Sequence, residues 1–266
     1  MAQVIFTNTY SLNAQKNLNK NSLGLSTAIE RLSSGLRINS ARDDAAGLAV
    51  ASRMEADARG LTVAIRNASD GISFGQTADG ALGTVGEILQ RMRELAVQSL
   101  NGTISDTERA YLDEEFGQLD DQITDLQGAA TLNNTNVFSS AGFTFQVGTT
   151  SSQTLTASFT SVAATGTAVA TSAGAAAALT AIDTALDEVS AARAEAGGVM
   201  GALQFRIQQL ETSRENQYAA RSRIMDADFA AETANLTRAQ ILQQSGTAMV
   251  AQANAIPQNV LTLLRG

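Results

Sequence analysis

The sequence predicts a mainly α-helical protein in which long antiparallel helices form a terminal coiled-coil domain and a helical rod, with a small β-hairpin region. Three observations carry this. Residues 1–15 and 239–264 contain no Asp, Glu, Lys or Arg, although chain ends are ordinarily polar and fray into water. The apolar residues of both ends recur at heptad spacing. Leu18, Leu25, Ile29, Leu32 and Leu36 step by 7, 4, 3 and 4, and Leu242, Met249, Ala253, Ile256, Val260 and Leu263 step by 7, 4, 3, 4 and 3, the period of a coiled-coil seam. Finally, aromatics are 5% of the chain and Trp is absent, which favours slender helix packing over a thick core.

Composition also removes several classes of function. Only 17% of residues are charged, against about 25% in an ordinary globular protein, so much of the surface is expected to face protein. A net charge of -8 with only two lysines, Lys16 and Lys20, argues against a nucleic-acid partner, which requires a clustered basic surface. Cysteine and histidine are both absent. Disulfides and thiol chemistry are therefore excluded, and the commonest general base and the usual zinc ligands are missing. No catalytic, cofactor-binding or metal residue is assigned, and the chain is not expected to be an enzyme. No run of 18 apolar residues spans a bilayer, and the N-terminus lacks a basic n-region and a long h-region, so any export is expected to use a route without a cleaved signal peptide.

Taken in order, residues 5 to about 58 read as helical with interruptions at Gly35 and Asn39, and the pattern continues through Arg66. Glycines at 71, 75, 80 and 83 predict a bend or weakened turn near 71–80. From Leu82 the stripe Leu82, Val85, Leu89, Met92, Ala96 predicts a helix ending at Asn101-Gly102. Ser105 and Glu108 form a capping-box signature before the stripe Leu112, Phe116, Leu119, Ile123, Leu126, with Gly128 as the stop. These two helices should pack antiparallel. The segment 70–135 holds twelve acids against three arginines, and pairs such as Asp120-Asp121 read as a solvated face.

Phe143, Phe145 and Val147 alternate, as do Leu155, Ala157 and Phe159, which predicts a β-hairpin with one buried face. Residues 160–178, rich in Ala, Thr, Ser and Gly, read as a loop or low-complexity insert, and the Ser and Thr residues between 149 and 172 are candidates for glycosylation if they are outermost. From Leu179 a seam of Ile182, Leu186, Val189, Ala196, Met200, Leu203, Ile207 and Leu210, with Arg193 at one position, predicts a long helix weakened at Gly197-Gly198 and Gly201. Pro257, the only proline, should kink the last helix or end a segment. The domain plan is 1–40 and 231–266 as the two halves of the coiled-coil domain, 41–178 as the first part of the rod with the hairpin and a short outer loop, and 179–230 as the C-terminal rod helix.

One block carries more than a helix. Arg31 to Met54 reads RLSSGLRINSARDDAAGLAVASRM, and this string resembles the N-terminal signature of bacterial flagellins. QRMRELAVQSLNGT (90–103), FQVG (145–148), the stretch 206–254 and PQNVLTLL (257–264) are similar to flagellin in the same order. The resemblance implies a short flagellin without large outer domains. Such a subunit is exported unfolded through the flagellar secretion channel and polymerises into the extracellular filament for swimming motility. The implied partners are further copies of itself, the flagellar cap and hook-filament junction proteins, and a flagellin export chaperone at the C-terminus. The cost of ordering isolated terminal helices predicts termini that become ordered in the polymer.

Two alternatives share the helical plan. Hook-filament junction proteins typically carry proline beside the paired acids, whereas here Asp43-Asp44 is followed by Ala45-Ala46-Gly47. A secreted coiled-coil adhesin would satisfy the periodicity without the matched strings. The zinc protease that some flagellins carry cannot be written without histidine. Arg91, Leu95 and Gln98 lie at i, i+4 and i+7, a stripe beside the seam that is expected to be exposed in the monomer. In similar flagellins the matching stripe, together with the position of Glu115, packs against neighbouring subunits and is bound by the vertebrate flagellin-sensing Toll-like receptor. Leu119 departs from the receptor-active pattern, in which a basic residue is common.

Overall fold

The structure is a computed structural model that describes residues 7–139 and 141–265, the side chains as far as Ile256. The described residues form five helices, α1 (Thr9–Ser34), α2 (Ala45–Ser99), α3 (Asp106–Ala129), α4 (Ser172–Met225) and α5 (Phe229–Arg265), and four short strands, β1 (Thr131–Leu132), β2 (Thr135–Asn136), β3 (Phe143–Gln146) and β4 (Thr154–Ala157). Chain contacts divide it into two units, one of Met1–Ala56 with Gln217–Gly266 and one of Asp57–Asn216. The divisions fall at 56/57 and 216/217, where the sequence pattern suggested 40/41 and 230/231.

The 57–216 unit is a bundle of α2, α3 and α4. Arg91 meets Glu115 and Arg109 meets the Ser99 carbonyl, while Arg93 meets Asp183 and Arg193 meets Asp79, so both α3 and α4 run antiparallel to α2. Leu82, Val85, Leu89, Met92 and Ala96 of α2 are fully buried against Phe116 and Ile123 of α3 and Ala178, Ile182, Ala185 and Val189 of α4. Burial of such side chains is worth about 1.5–3 kcal/mol each before ordering entropy is subtracted. In α4 the seam runs through Ala178, Ile182, Ala185, Val189, Ala192, Ala196, Leu203 and Leu210. Leu186, assigned to the seam by its size, sits half-buried at its edge, and Arg193 points out to Asp79 at 2.7 Å.

The helix is not interrupted at 71–80: α2 is continuous across all four glycines, and α4 likewise continues through Gly197-Gly198 and Gly201. Gly71 and Gly75 serve close packing instead. A Cβ at Gly71 would stand 2.9 Å from Leu203 Cδ1, and one at Gly75 would stand 2.7 Å from Met200 Cγ, so side chains of α4 lie directly over the two glycines and would have to shift to admit a methyl group. The stop of α3 is also displaced, because Gly128 is helical and Ala130 is the C-cap. At its start the expected capping box is present: Glu108 accepts from the Ser105 amide at 2.8 Å and the Ser105 hydroxyl accepts from the Glu108 amide at 3.4 Å. The two Ser105 donors, amide first and hydroxyl second, hold the Glu108 carboxyl below its ordinary pKa.

The hairpin pairs Phe143 with Ala157 and Phe145 with Leu155, and its phenylalanines meet Phe74 of α2 at ring-centroid separations of 4.9 and 5.9 Å. A second, unpredicted pair, β1 with β2, turns through Asn133 and Asn134 at φ 50° and 62°, the two left-handed positions of a tight hairpin turn that Asn tolerates. Residues 158–170 correct the expectation of a loose insert. They form a strap with Val162 and Val169 buried, and α4 begins at Ser172 instead of Leu179. Gln127 donates to the Val162 carbonyl at 2.8 Å and accepts from its amide at 3.0 Å. Asp120 accepts from the Thr165 amide at 2.7 Å and Asp113 from the Val169 amide at 2.6 Å. Asp120 is thus a tether and not a solvated acid, because an uncharged irregular segment needs acceptors for its backbone amides; Asp121 remains exposed.

In the terminal unit, α1 and α5 run antiparallel, with Asn8 at Ala253, Leu18 at Gly246 and Arg31 at Glu232. Gly35 ends α1 at φ 71° and returns its amide to the Arg31 carbonyl, a left-handed cap that favours glycine. The chain then pairs once with the α4–α5 connection. Leu36 bridges Asp226, and the Arg37 amide and guanidinium donate to the Met225 and Ile224 carbonyls at 2.6 and 2.7 Å. Ile38, Ala51 and Met225 close a small core there.

The two acids of the signature block divide the labour. Asp43 accepts from the Asn39 and Ser40 amides and the Ser40 hydroxyl, which lowers its pKa, the Ser40 amide most. Asp44 accepts from the Gly47 amide at 2.8 Å and starts α2. Gly47 has no alternative, since a Cβ would lie 2.5 Å from that carboxylate and 2.8 Å from Ile38 Cδ1. Asp228 caps α5 through the amides of Ala230 and Ala231, a break the sequence reading missed. Pro257 does not end the last helix, which is continuous to Arg265.

Candidate assembly surfaces

The terminal pair is joined by a seam of small and polar residues. On α1, Ser11, Ala14, Leu18, Asn21, Leu25, Ala28 and Leu32 are buried or half-buried, with steps alternating 3 and 4. On α5 the matching series is Glu232, Leu236, Ala239, Gln243, Gly246, Val250 and Ala253. Of the residues expected in the seam, Leu18, Leu25, Leu32 and Ala253 lie in it. Leu36 is half-buried beyond the end of α1, in the pairing with Asp226. Ile29, Leu242, Met249 and Ile256 lie on the flanks, with exposures of 51%, 43%, 62% and 41%. Val260 and Leu263 lie outside the described residues. The correction has a simple cause: the large apolar residues Leu242, Met249 and Ile256 repeat every seven positions, three places after the small Ala239, Gly246 and Ala253, so choosing by size selects the wrong stripe. The signal that would have found the true seam is the alternation of Ala, Gly and Gln at 239, 243, 246 and 253.

The result is an apolar flank without cover. Tyr10, Ala14 and Leu18 of α1 and Leu242, Met249 and Ile256 of α5 line an open groove of about 400 Å³ along the pair. Leu12, Leu23 and Ile241 add exposed apolar surface at 57%, 72% and 57%. Apolar patches of this extent mark surfaces that bind protein. At the seam's other end Arg31 and the buried Glu232 approach to 3.9 Å.

On the bundle, the stripe beside the α2 seam divides. Arg91 and Gln98 are exposed, but Leu95 is 1% exposed and belongs to the core. The expectation of a uniformly exposed stripe fails because α2 faces two helices, and the position beside its α4 seam is the one that faces α3. Arg91 is not a free cation: it donates to Glu115 at 2.8 and 3.0 Å and to Glu94 at 2.9 Å, contacts that raise its pKa. Arg109 was not anticipated. Its guanidinium is buried and donates to the carbonyls of Ser99, Asn101 and Ile104, satisfying the end of α2 and fixing the turn into α3. Among the described residues no group of His, Cys, Asp or Glu is placed to hold a metal ion, and no helix is long and apolar enough to cross a membrane.

Comparison with known proteins agrees with this architecture. The family model for the bacterial flagellin N-terminal helical region matches residues 5–142, and that for the flagellin C-terminal helical region matches 179–264. A flagellin of Halalkalibacterium halodurans is 44% identical, over 98% of this chain and 100% of its own length. The flagellar filament 33 kDa core protein of Treponema phagedenis is 37% identical over 98% of this chain and 100% of its own. The crystal structure of Bacillus cereus flagellin aligns with 55% of this chain and 88% of its own at 29% identity and a TM-score of 0.49. Both helical regions match, in order, across the terminal pair and the bundle. The chain therefore belongs to the bacterial flagellins and is a structural subunit of the flagellar filament, not an enzyme.

Proposed function

We propose that the uncovered flank of the α1–α5 pair is the surface by which subunits polymerise, the small-residue seam holding the two helices together while the large apolar residues beside it enter the contact with neighbouring copies. The observation that carries this is the exposure of Leu242, Met249 and Ile256 around one groove. A soluble monomer has no use for such a patch, and a head-to-tail contact that does not close generates a helical filament. Concentrated protein is expected to pellet as smooth tubes by electron microscopy. Within them Met249 should oxidise with dilute peroxide about tenfold more slowly than in the monomer, because buried thioethers are shielded from oxidant. Equal oxidation rates in pellet and supernatant would exclude this role for the flank.

The remaining partners proposed here are those that the flagellin resemblance implies. Export through the flagellar channel, a chaperone that covers the C-terminal helix before export, and the cap and junction proteins at the filament ends all suit a chain whose apolar flank must stay covered until it assembles. On the bundle, Arg91, Gln98 and Glu115 present a polar face for subunit packing and for the flagellin-sensing Toll-like receptor. Leu95 supports that face from below. In a receptor reporter assay, Arg91→Ala is expected to reduce the response to monomer several-fold while leaving the melting temperature of the bundle within a few degrees, because exposed ion pairs contribute only about 0–1 kcal/mol. An unchanged response would remove Arg91 from that surface.

A further inference from the structure

In a helix the amide of residue i donates to the carbonyl of residue i−4. Pro257 has no amide hydrogen, yet α5 is helical on both sides of it, so the carbonyl of Ala253 is left without its helical partner. Ala253 is 7% exposed, which restricts replacement by water, and a buried unpaired carbonyl is costly. The structure supplies a substitute from the opposite end of the chain: Asn8 Nδ2 donates to the Ala253 carbonyl at 2.8 Å. The other half of the same amide is also committed. Asn8 Oδ1 accepts from the Ser11 amide at 3.1 Å as the N-cap of α1, which fixes which end of the Asn8 amide faces α5. One residue further on, the Ser11 hydroxyl donates to Asn254 Oδ1 at 2.7 Å.

We propose that Asn8 and Pro257 form a register lock for the terminal helix pair, the proline creating one vacant carbonyl on α5 and the asparagine being the side chain on α1 that fills it. Much of the seam does not discriminate between registers, because small and polar residues recur every seven positions on both helices. Sliding one helix past the other by a heptad, about 10 Å, brings leucine of α1 onto Ala or Gly of α5 again. The Asn8–Ala253 bond does not survive such a slide, and neither does the contact of Leu18 with Gly246, where an added Cβ would stand 3.0 Å from Leu18 Cδ1. A helical polymer requires each subunit to present the same flank at the same height, so a single vacant acceptor read by a single donor determines whether the groove beside Leu242 and Met249 is correctly formed. Asn8 is in this sense a positioning residue for assembly.

The test is a double-mutant cycle on the full chain. Asn8→Ser preserves an N-cap of similar quality but removes the donor that reaches Ala253. Pro257→Ala restores the amide that satisfies the same carbonyl from within α5. Spin labels at Lys16→Cys and Thr247→Cys, both exposed and selective because the chain has no cysteine, report the register as an interhelical distance. Sedimentation reports the critical concentration for polymerisation. Asn8→Ser alone is expected to broaden the distance distribution and raise the critical concentration about five- to tenfold, the usual consequence of orphaning a buried acceptor. In the Pro257→Ala background the same substitution should change it less than about twofold, since no carbonyl remains to be filled. An effect of equal size in both backgrounds would make Asn8 a simple helix cap, and no effect in either would make the bond irrelevant; both results overturn the proposal. Asn8→Asp, which keeps the acceptor and lacks the donor, should behave as Asn8→Ser does.

Discussion

Deletion of residues 239–264 is expected to abolish polymerisation while leaving the 57–216 unit folded. The deletion removes most of α5, including Ala239, Gly246, Val250 and Ala253 of the seam and the whole of the exposed stripe. Helix α1 then has no partner for Leu18, Leu25 and Leu32, and most of the stability of a helix in a protein comes from packing its apolar face. The bundle core, from Leu82 to Met92 with Phe116, Ile123 and Ile182, contains no residue from the deleted segment. Circular dichroism should therefore lose the helix contributed by α1 and α5 and retain one cooperative transition from the bundle. Sedimentation should find no pellet at concentrations where the intact chain pellets completely. Filaments formed by the truncated chain would show that assembly does not run through the terminal pair.

Leu242→Glu combined with Met249→Glu is expected to block assembly without destabilising the monomer. Both side chains are substantially exposed, at 43% and 62%, and exposed substitutions away from buried features usually change stability by less than about 0.5 kcal/mol. In the polymer the same side chains are buried on the reading given above. Each then contributes about 1.5–3 kcal/mol, and replacement by carboxylates also buries charge without partners. The critical concentration should rise by at least about a hundredfold, at 1.4 kcal/mol per factor of ten. The measurements are pelleting across a concentration series and thermal unfolding of the monomer. A normal critical concentration would place the subunit contact elsewhere, and a large fall in monomer stability would place the two residues in the seam after all.

What was legible in the sequence was period, and what was not was choice among neighbours of equal period. The stripe Leu82 to Ala96 and the capping box at Ser105 were read correctly because one large apolar series and one local hydrogen-bonding motif admit a single interpretation. On α4 the expected seam holds at Ile182, Val189, Ala196, Leu203 and Leu210, with Leu186, Met200 and Ile207 at its edge, whereas the α5 seam was misplaced because alanine and glycine occupy the true contact while leucine and methionine stand beside it. Close approach of two backbones rewards the small residue, a criterion invisible to a search for hydrophobic bulk. Gly71 and Gly75 were read as flexibility for the same reason, when each marks a contact at which a Cβ would collide. The strap at 158–170 was unreadable because its order comes from Gln127, Asp120 and Asp113, far away in sequence. On the bundle face, Arg91 and Gln98 were recognised as exposed, Glu115 was named only through the resemblance, and Leu95 was not recognised as core because the second partner of α2 leaves no separate period.

The glycines of α2 bear also on the unfolded chain. Gly47, Gly60, Gly71, Gly75, Gly80, Gly83 and Gly86 all lie in one helix of 55 residues, and each costs about 0.5–1 kcal/mol relative to alanine in a helix. Local propensity is therefore set against the longest element of the fold, which exists because α3, α4 and the hairpin cover it. Such an element has little residual helix once its partners are gone, and it re-forms only when they return. Glycine at these positions thus leaves the single chain pliable and makes the stiffness of the subunit depend on the partners that pack around α2.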